Sequence, residues 1–577
     1  MAVTPFDTIA SASTRWKKTV ENGDISLREC RPVESPEPLD TMMKHSLLDE
    51  SLLRVRLSSD DSEPRALALP EVLHILSREE EPHLLSFEAL QAHQRQAWYS
   101  FLVQLAAMAV AQGDSDGRPE SPDGWRRALL NLSEEDEAPW HLVVSDVKRP
   151  AFVQSPVSEE EESLDDAGYK TIAEHRRKGE RSLDSFEPLL TSKNHSVKRQ
   201  RVTSPKEDHW VYALCNTQTM SGYVNYYQRI VRVSGGYSSR PFLGLSSNLK
   251  WGKRFRRDLR VLRSERQNLT KYNLSDGHTL LWTIPWSGQK GDGIPLYECD
   301  PFFIEVSRRI RLVEPKPREI AYRKATNPGM RIEEPTDDLE GDTGDVWTPI
   351  ESDGSALRVV EDGFDYRCLD EVLLGSEYER PPALQFREGE DGLMYIVAEA
   401  LGRGQGKTHG LHRRIVPIPQ EVTNRLGRGT LLEELAERSR KRIRMTDTVS
   451  AKVLYSALTT LLLAGSDQTS DEEDPKQKEL TKSRKEVRSE YLDAFKSSID
   501  TLFFELLWES AKEEVSDKEA KRQWQTLLWK KAKQQFEDAQ RHAPRSAVHY
   551  WRARSAAQSM FRSQANRYLE DAEQATF

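Results

Sequence analysis

Apolar and charged residues alternate from Leu52 to Leu57, the two-residue period of a half-buried strand. From Ala66 to Leu76 the period lengthens toward that of a helix, and further helices are predicted over Ser86–Gln112 and around Trp125–Leu132. The longer one carries an apolar stripe that includes Ala89, Leu90, Trp98, Leu102 and Leu105. Residues 150–156 read as an extended bend between two prolines, and about 155–208 as a polar insertion of the kind that is mobile or ordered by a partner. Alternation returns over 297–312 and 319–326, the second run closed by the turn signal Asn327, Pro328, Gly329. Extended runs over 393–398 and 413–419 flank a stretch rich in glycine and predict a hairpin.

After Pro419 the pattern changes. Glycine and proline almost vanish beyond Gly429, and the 3.6-residue period predicts four helices over about 430–464, 478–513, 516–541 and 544–572. Their apolar positions, among them Leu454, Leu458, Leu461, Tyr491, Phe495, Leu502, Leu506, Trp524, Leu528, Tyr550 and Phe561, suit one shared core. The expected class is therefore α+β: an N-terminal extension over 1–40, a large mixed α/β domain over 41–420, and a C-terminal four-helix bundle over 421–577.

Length supports this division, because 577 residues exceed what one core organises. No apolar run reaches the roughly 18 residues that cross a bilayer, and the first residues lack the basic and apolar regions of a secretory signal, so a cytoplasmic protein without a membrane partner is expected. Cys30, Cys215, Cys299 and Cys368 stand far apart, which argues for packed thiols rather than a zinc site or disulfides. The net charge of -10 excludes a protein that coats nucleic acid with its whole surface, but leaves room for local basic faces.

Two such places stand out. Between Lys250 and Lys271 nine basic residues face two acidic ones, and Arg256, Arg260 and Arg263 would share a helical face. Nucleic-acid backbone, an acidic partner protein and plain solvation all suit such a run; Arg254, Arg256 and Arg257 are the candidate backbone contacts. The second place is the stretch from Gly402 to Gly410. Its four glycines free the backbone, and the neutral Gln405 stands among Arg403, Lys407, His409, Arg413 and Arg414. That is how a polar probe would be offered to a phosphate-rich partner, with Arg403 and Lys407 on the backbone, and it is also how a flexible turn with solvated charges would look.

Catalytic signatures are missing. The sequence contains no P-loop, nucleophile elbow, HExxH or deaminase pattern, and His409 with His412 has no third ligand nearby. No catalytic residue, metal or cofactor is expected, so the chain reads as a scaffold with loops.

Several segments in order resemble CasA, the large subunit of the type I-E CRISPR surveillance complex called Cascade. They are Leu47 to Glu50, the bend Pro150 to Gln154, Ala213 to Gln218, a Ser-Gly-Gly ahead of Arg240 and Pro241, Cys299 to Pro301, Trp347, and the glutamine-tipped hairpin before the four helices. The resemblance implies a subunit at the crRNA 5′ handle that reads the PAM of target double-stranded DNA from the minor groove, helps open the duplex, and later recruits a helicase-nuclease. Its partners would be crRNA, target DNA and the other Cascade subunits. It also implies a glycine loop at Gly222, Tyr223, Val224 and Asn225, a lysine finger at or beside Lys324, a wedge at Gln405, and a handle contact near Asn194 and His195. The glycine loop holds one glycine where relatives have several, and the cysteines that some relatives place after the Cys-Asp-Pro segment are absent, so no zinc site carries over. The alternatives are the large subunit of another class 1 or transposon-associated effector, and a metal-dependent nuclease whose acids are unrecognised.

Overall fold

The computed structural model describes residues 43–569 apart from 59–62, 114–116, 172–182, 188–201, 221–228, 234–237, 334–340, 405–406, 428–430, 465–479, 513–514 and 544–546. The expected N-terminal extension, the glycine loop at Gly222, Tyr223, Val224 and Asn225, the handle contact at Asn194 and His195, and Gln405 all lie outside the described residues. Residues 43–577 form one compact unit.

That unit is built on two hydrophobic cores. The first is organised by the helix Arg95–Ala111, in which every residue from Gln96 to Val110 is buried. A helix apolar all round belongs in the middle of its neighbours, and this one packs against the helices Glu207–Thr219 and Trp251–Glu265. Aromatic rings lock the three together: Phe87, Trp98, Tyr212 and Trp251 meet edge-on with centroids 5.0 to 5.9 Å apart. The expected helix over 86–112 is therefore shorter than its pattern. Leu84–Phe87 forms a strand, because Phe87 pairs with Val55 of the strand Leu53–Leu57, and the α-helix starts only at Arg95.

Strands among the described residues are gathered in seven small sheets of two or three members. Two of them matter for function. In one, the strand Glu319–Lys324 lies between Ile310–Lys316 and the two-residue strand Lys170–Thr171. In the other, the hairpin Met394–Gly404 and Lys407–Ile418 is joined by Phe242–Ser246.

The second core takes this hairpin's inner residues, such as Ile396, Ala398 and Val416, together with the helices beyond it. Those helices run over Leu432–Thr448, a π turn at Val449–Leu454, Tyr455–Ala464, Lys482–Asp500, Phe503–Glu509, Asp517–His542 and Tyr550–Tyr568. The change of sequence character near residue 420 thus falls inside this core rather than between the two. Leu454, Leu458, Phe495, Trp524, Leu528 and Phe561 are buried as their spacing requires. Leu502 and Leu506 are only half buried, because the chain turns at Thr501 and Leu502 and restarts at Phe503, which puts Phe503 and Leu507 inside instead.

Candidate nucleic-acid interface

The hairpin is longer than its alternation suggested. Its two strands stay paired from Met394 opposite Ile418 to Gly404 opposite Lys407, with an irregularity between Gly402 and Arg403. The third strand covers only Tyr395 to Glu399. From Glu399 to Gly404 the hairpin therefore runs on for roughly 17 Å at 3.4 Å per residue without that neighbour. Of Arg403 and Lys407 the backbone alone is described, each in a strand beside the turn.

Its base is held on both faces. Glu399 is 4 % exposed and accepts a 2.7 Å hydrogen bond from Nε of Arg413, with Arg254 at 3.5 Å and Arg95 at 3.9 Å. Burial works against its charge, and the three guanidiniums outweigh that, holding the carboxyl below the usual carboxylate range. Arg414 reaches the other way, to Oδ1 of Asp500 at 2.5 Å and to the carbonyls of Phe364 and Asp500 at 2.8 Å. Arg413 and Arg414 thus anchor the hairpin rather than ring its tip.

Closer to the turn, the segment Val359 to Phe364 lies against it. A Cβ at Gly402 would stand 2.9 Å from the carbonyl oxygen of Val359, and one at Gly363, where φ is +65°, would collide with the ring of His412. Glycine at 402 lets the two backbones close up, and glycine at 363 leaves room for the His412 ring. His409 contributes through Nδ1, 3.4 Å from Glu361.

Lys324 is exposed at the end of its strand, with its Cα paired to Lys170 on one side and Ile310 on the other. Residues directly opposite across antiparallel strands put their side chains on the same face, so the two lysines stand together. Lys170 was not among the expected residues. It sits in the polar insertion on a strand of two residues, too short for any alternation to reveal.

The basic helix Trp251–Glu265 corrects the expected backbone contacts. Arg254, Arg256 and Arg257 are 8 %, 8 % and 4 % exposed and spend their donors inside the protein. Arg254 faces Glu399. Arg256 donates to the carbonyls of Leu76, at 3.2 Å, and Arg78. Arg257 bonds Glu390 at 2.6 Å and the carbonyls of Ala383 and Gln385 at 2.7 and 2.9 Å. Guanidiniums so placed are structural ties, although Arg256 and Arg257 also reach the wall of the cavity lined by the exposed cations of the same helix. The exposed cations of the same helix are Lys253, Arg260 and Arg263, and with Arg118 they line a cavity of about 450 Å³ beside Met394. The signal that identifies them was present in the sequence: Trp251, Phe255, Leu259 and Leu262 mark the inward face and leave 253, 260 and 263 outside.

The motifs that carried the resemblance are mostly buried ties as well. The Gln218 amide donates to the carbonyls of Val153 and Arg308 at 3.1 and 3.0 Å and accepts from the backbone N–H groups of Ser307 and Arg308 at 3.0 and 2.9 Å. Gln154 donates to the carbonyls of Leu142 and Phe152 and accepts from the N–H of Leu312. Arg240 and Asp345 form a buried pair at 2.5 Å, and Trp347 stacks on Phe242 at 4.7 Å.

Solved structures match this architecture. The CRISPR-associated protein Cse1 from Acidimicrobium ferrooxidans superposes with a TM-score of 0.61 at 15% identity, over 93% of this chain and 99% of that one. The chain has the CasA (Cse1) fold. CasA (Cse1) of Thermus thermophilus superposes at 0.60 and 14% identity, over 91% of this chain and 100% of its own. A chain of a CRISPR RNA-guided surveillance complex superposes at 0.53 and 11% identity, over 91% and 99%. No protein-family model matches the sequence, and no curated protein matches it. The CasA fold is thus shared across almost the full length of both chains at 15% identity or less. Among the described residues, no three His, Cys, Asp or Glu side chains converge as a metal-ligand set, and no helix is long and apolar enough to cross a membrane.

Proposed function

We propose that the chain is the large, non-enzymatic subunit of a type I-E-like Cascade, which recognises the PAM in target double-stranded DNA, helps open the duplex for crRNA pairing and contacts the crRNA 5′ handle. The observation that carries this reading is the hairpin. A fold shared with CasA proteins, and with a chain of a surveillance complex, holds a two-stranded arm whose base is tied by Glu399 and Arg414 and between whose strands Gln405 falls in the sequence. A wedge needs such a mount, because a side chain on a loose loop would yield before the base pairs did.

The energetics suit a small push. Exchange of a DNA duplex for an RNA–DNA heteroduplex is near balance, so lowering the cost of the first opened step is enough to start it. Lys324, on its strand end, would donate to the acceptors of the minor-groove floor, and the glycine loop at Gly222 to Asn225 would bring backbone close beside it. Lys170, its cross-strand neighbour, would add a second ammonium on the same face. Other Cascade subunits and a helicase-nuclease recruited after R-loop formation are the partners of this reading.

The test uses the assembled complex with crRNA and target duplex. Gln405→Ala is expected to slow R-loop opening, followed with a fluorescent base beside the PAM, while initial duplex binding is kept. Lys324→Ala is expected to weaken PAM-dependent binding itself, by about 1–3 kcal/mol for one base-edge contact. Equal losses in both assays for both variants would remove the division of labour.

A further inference from the structure

Between the helices Leu432–Thr448 and Asp517–His542, near the end of Tyr550–Tyr568, lies a cavity of about 590 Å³. Its floor is carbon: Met445, Ala520, Trp524 and Tyr568. Among the described residues six cations line it against one acid, Asp517, and that acid is already paired with Arg438 at 2.7 Å. Arg444, Lys518 and Lys521 on the rim are exposed and form no ion pair among the described residues.

Arg442 is the unusual member. It is 6 % exposed, its guanidinium carbon stands 5.0 Å over the Trp524 ring, and its buried Nη1 has no hydrogen-bond partner. Burial, and then the neighbouring Arg438, push its pKa down to about 10, which leaves it charged at neutral pH. A buried cation without a carboxylate costs stability, and an incoming carboxylate would remove that cost with a forked, paired contact.

We propose that this cavity is a docking site for an acidic peptide segment of a partner protein, with one carboxylate on Arg442 and an adjacent apolar side chain on the floor. The volume lies within the roughly 300–1,000 Å³ of ligand pockets, enough for one or two side chains. Nucleic acid fits less well. Arg442 covers one face of Trp524, the Phe503 ring meets it at near right angles with centroids 5.7 Å apart, and Arg567 lies 5.5 Å over the Tyr568 ring, so each aromatic ring of the floor already has a face taken from any base that would stack there.

The experiment measures fluorescence anisotropy of the full chain with a labelled dodecapeptide that repeats Glu-Phe-Asp-Leu, with the same peptide carrying Lys for each acid, and with labelled oligothymidylate. The acidic peptide is expected to bind and the lysine peptide not. Arg442→Met is expected to weaken binding about thirtyfold or more while Tm stays level or rises, since an unpaired buried charge has gone. Lys518→Glu with Lys521→Glu, both on the exposed rim, is expected to weaken it too, and decides alone if Arg442→Met fails to fold. No binding of the acidic peptide, or binding that neither variant alters, overturns the proposal. So does oligothymidylate binding that Arg442→Met abolishes, which would make the cavity a nucleic-acid site.

Discussion

At the scale of single residues, a helix with two kinds of arginine separates structural charge from available charge. Replacing Lys253, Arg260 and Arg263 together by Ala is expected to lower the slope of log affinity against log salt by about 2–3, at about 0.9 for each phosphate no longer neutralised. Titration of duplex binding at several salt concentrations reads this directly, and an unchanged slope would leave the exposed face merely solvated. The same change at Arg254, Arg256 and Arg257 should instead lower stability, because Glu399 and Glu390 would lose buried partners. A second residue with a measurable signature is Glu305, which is buried and accepts from the Val231 N–H at 3.0 Å. Burial pushes its pKa up to about 7, against the pull of the Val231 N–H, Arg232 and Arg240. Between the usual carboxylate range and pH 7 the folded chain therefore holds a proton that the unfolded chain releases, so stability falls as pH rises through that window. Thermal melts of Glu305→Gln should show a flatter profile there, with the remaining slope set by Asp370, whose pKa burial raises to about 6, and Asp258, also raised by burial, against His74 and His412, which burial lowers and which act in the opposite sense. Residue roles were only partly legible in the sequence. Counting charges singled out one basic helix, but which of its arginines face inward is fixed by the apolar positions around them. The amides of Gln154 and Gln218 were recognisable as motifs without showing that they tie backbone together.

At the scale of elements, the hairpin and the C-terminal helices were legible because long periodic runs leave little choice of structure. The small sheets were not. Strands of two or three residues such as Lys170–Thr171 owe their conformation to the neighbour they pair with, and nothing local announces them. The buttress of the hairpin was equally hidden, since nothing in the sequence sets Gly363 against the His412 ring or Gly402 against the Val359 carbonyl. Gly363→Ala tests it. The added methyl meets the His412 ring at a left-handed φ, so a loss of about 1–3 kcal/mol in stability is expected. If the arm serves as a wedge mount, R-loop opening should slow with it while PAM binding is kept. A variant that opens the duplex at the normal rate would show that the arm's outer half needs no support.

At the scale of the whole molecule, the proposed scaffold role predicts that the purified chain leaves labelled DNA intact with Mg²⁺ or Mn²⁺ present. Metal-dependent cleavage, seen on a sequencing gel and lost on chelation, would replace that role with a nuclease. The fold itself could be approached from sequence only through the order of weak segments, because the superposed CasA structures share no more than 15% identity with this chain. What holds this chain together is a set of interior ties and two cores, and the second core does not respect the line between arm and helices. Arg414 is bonded to Asp500 at the end of one helix, and the hairpin's inner face is packed on the same side chains that hold the helices to each other. Moving the helices as a body relative to the hairpin would therefore break the Arg414–Asp500 pair and part side chains of a shared core.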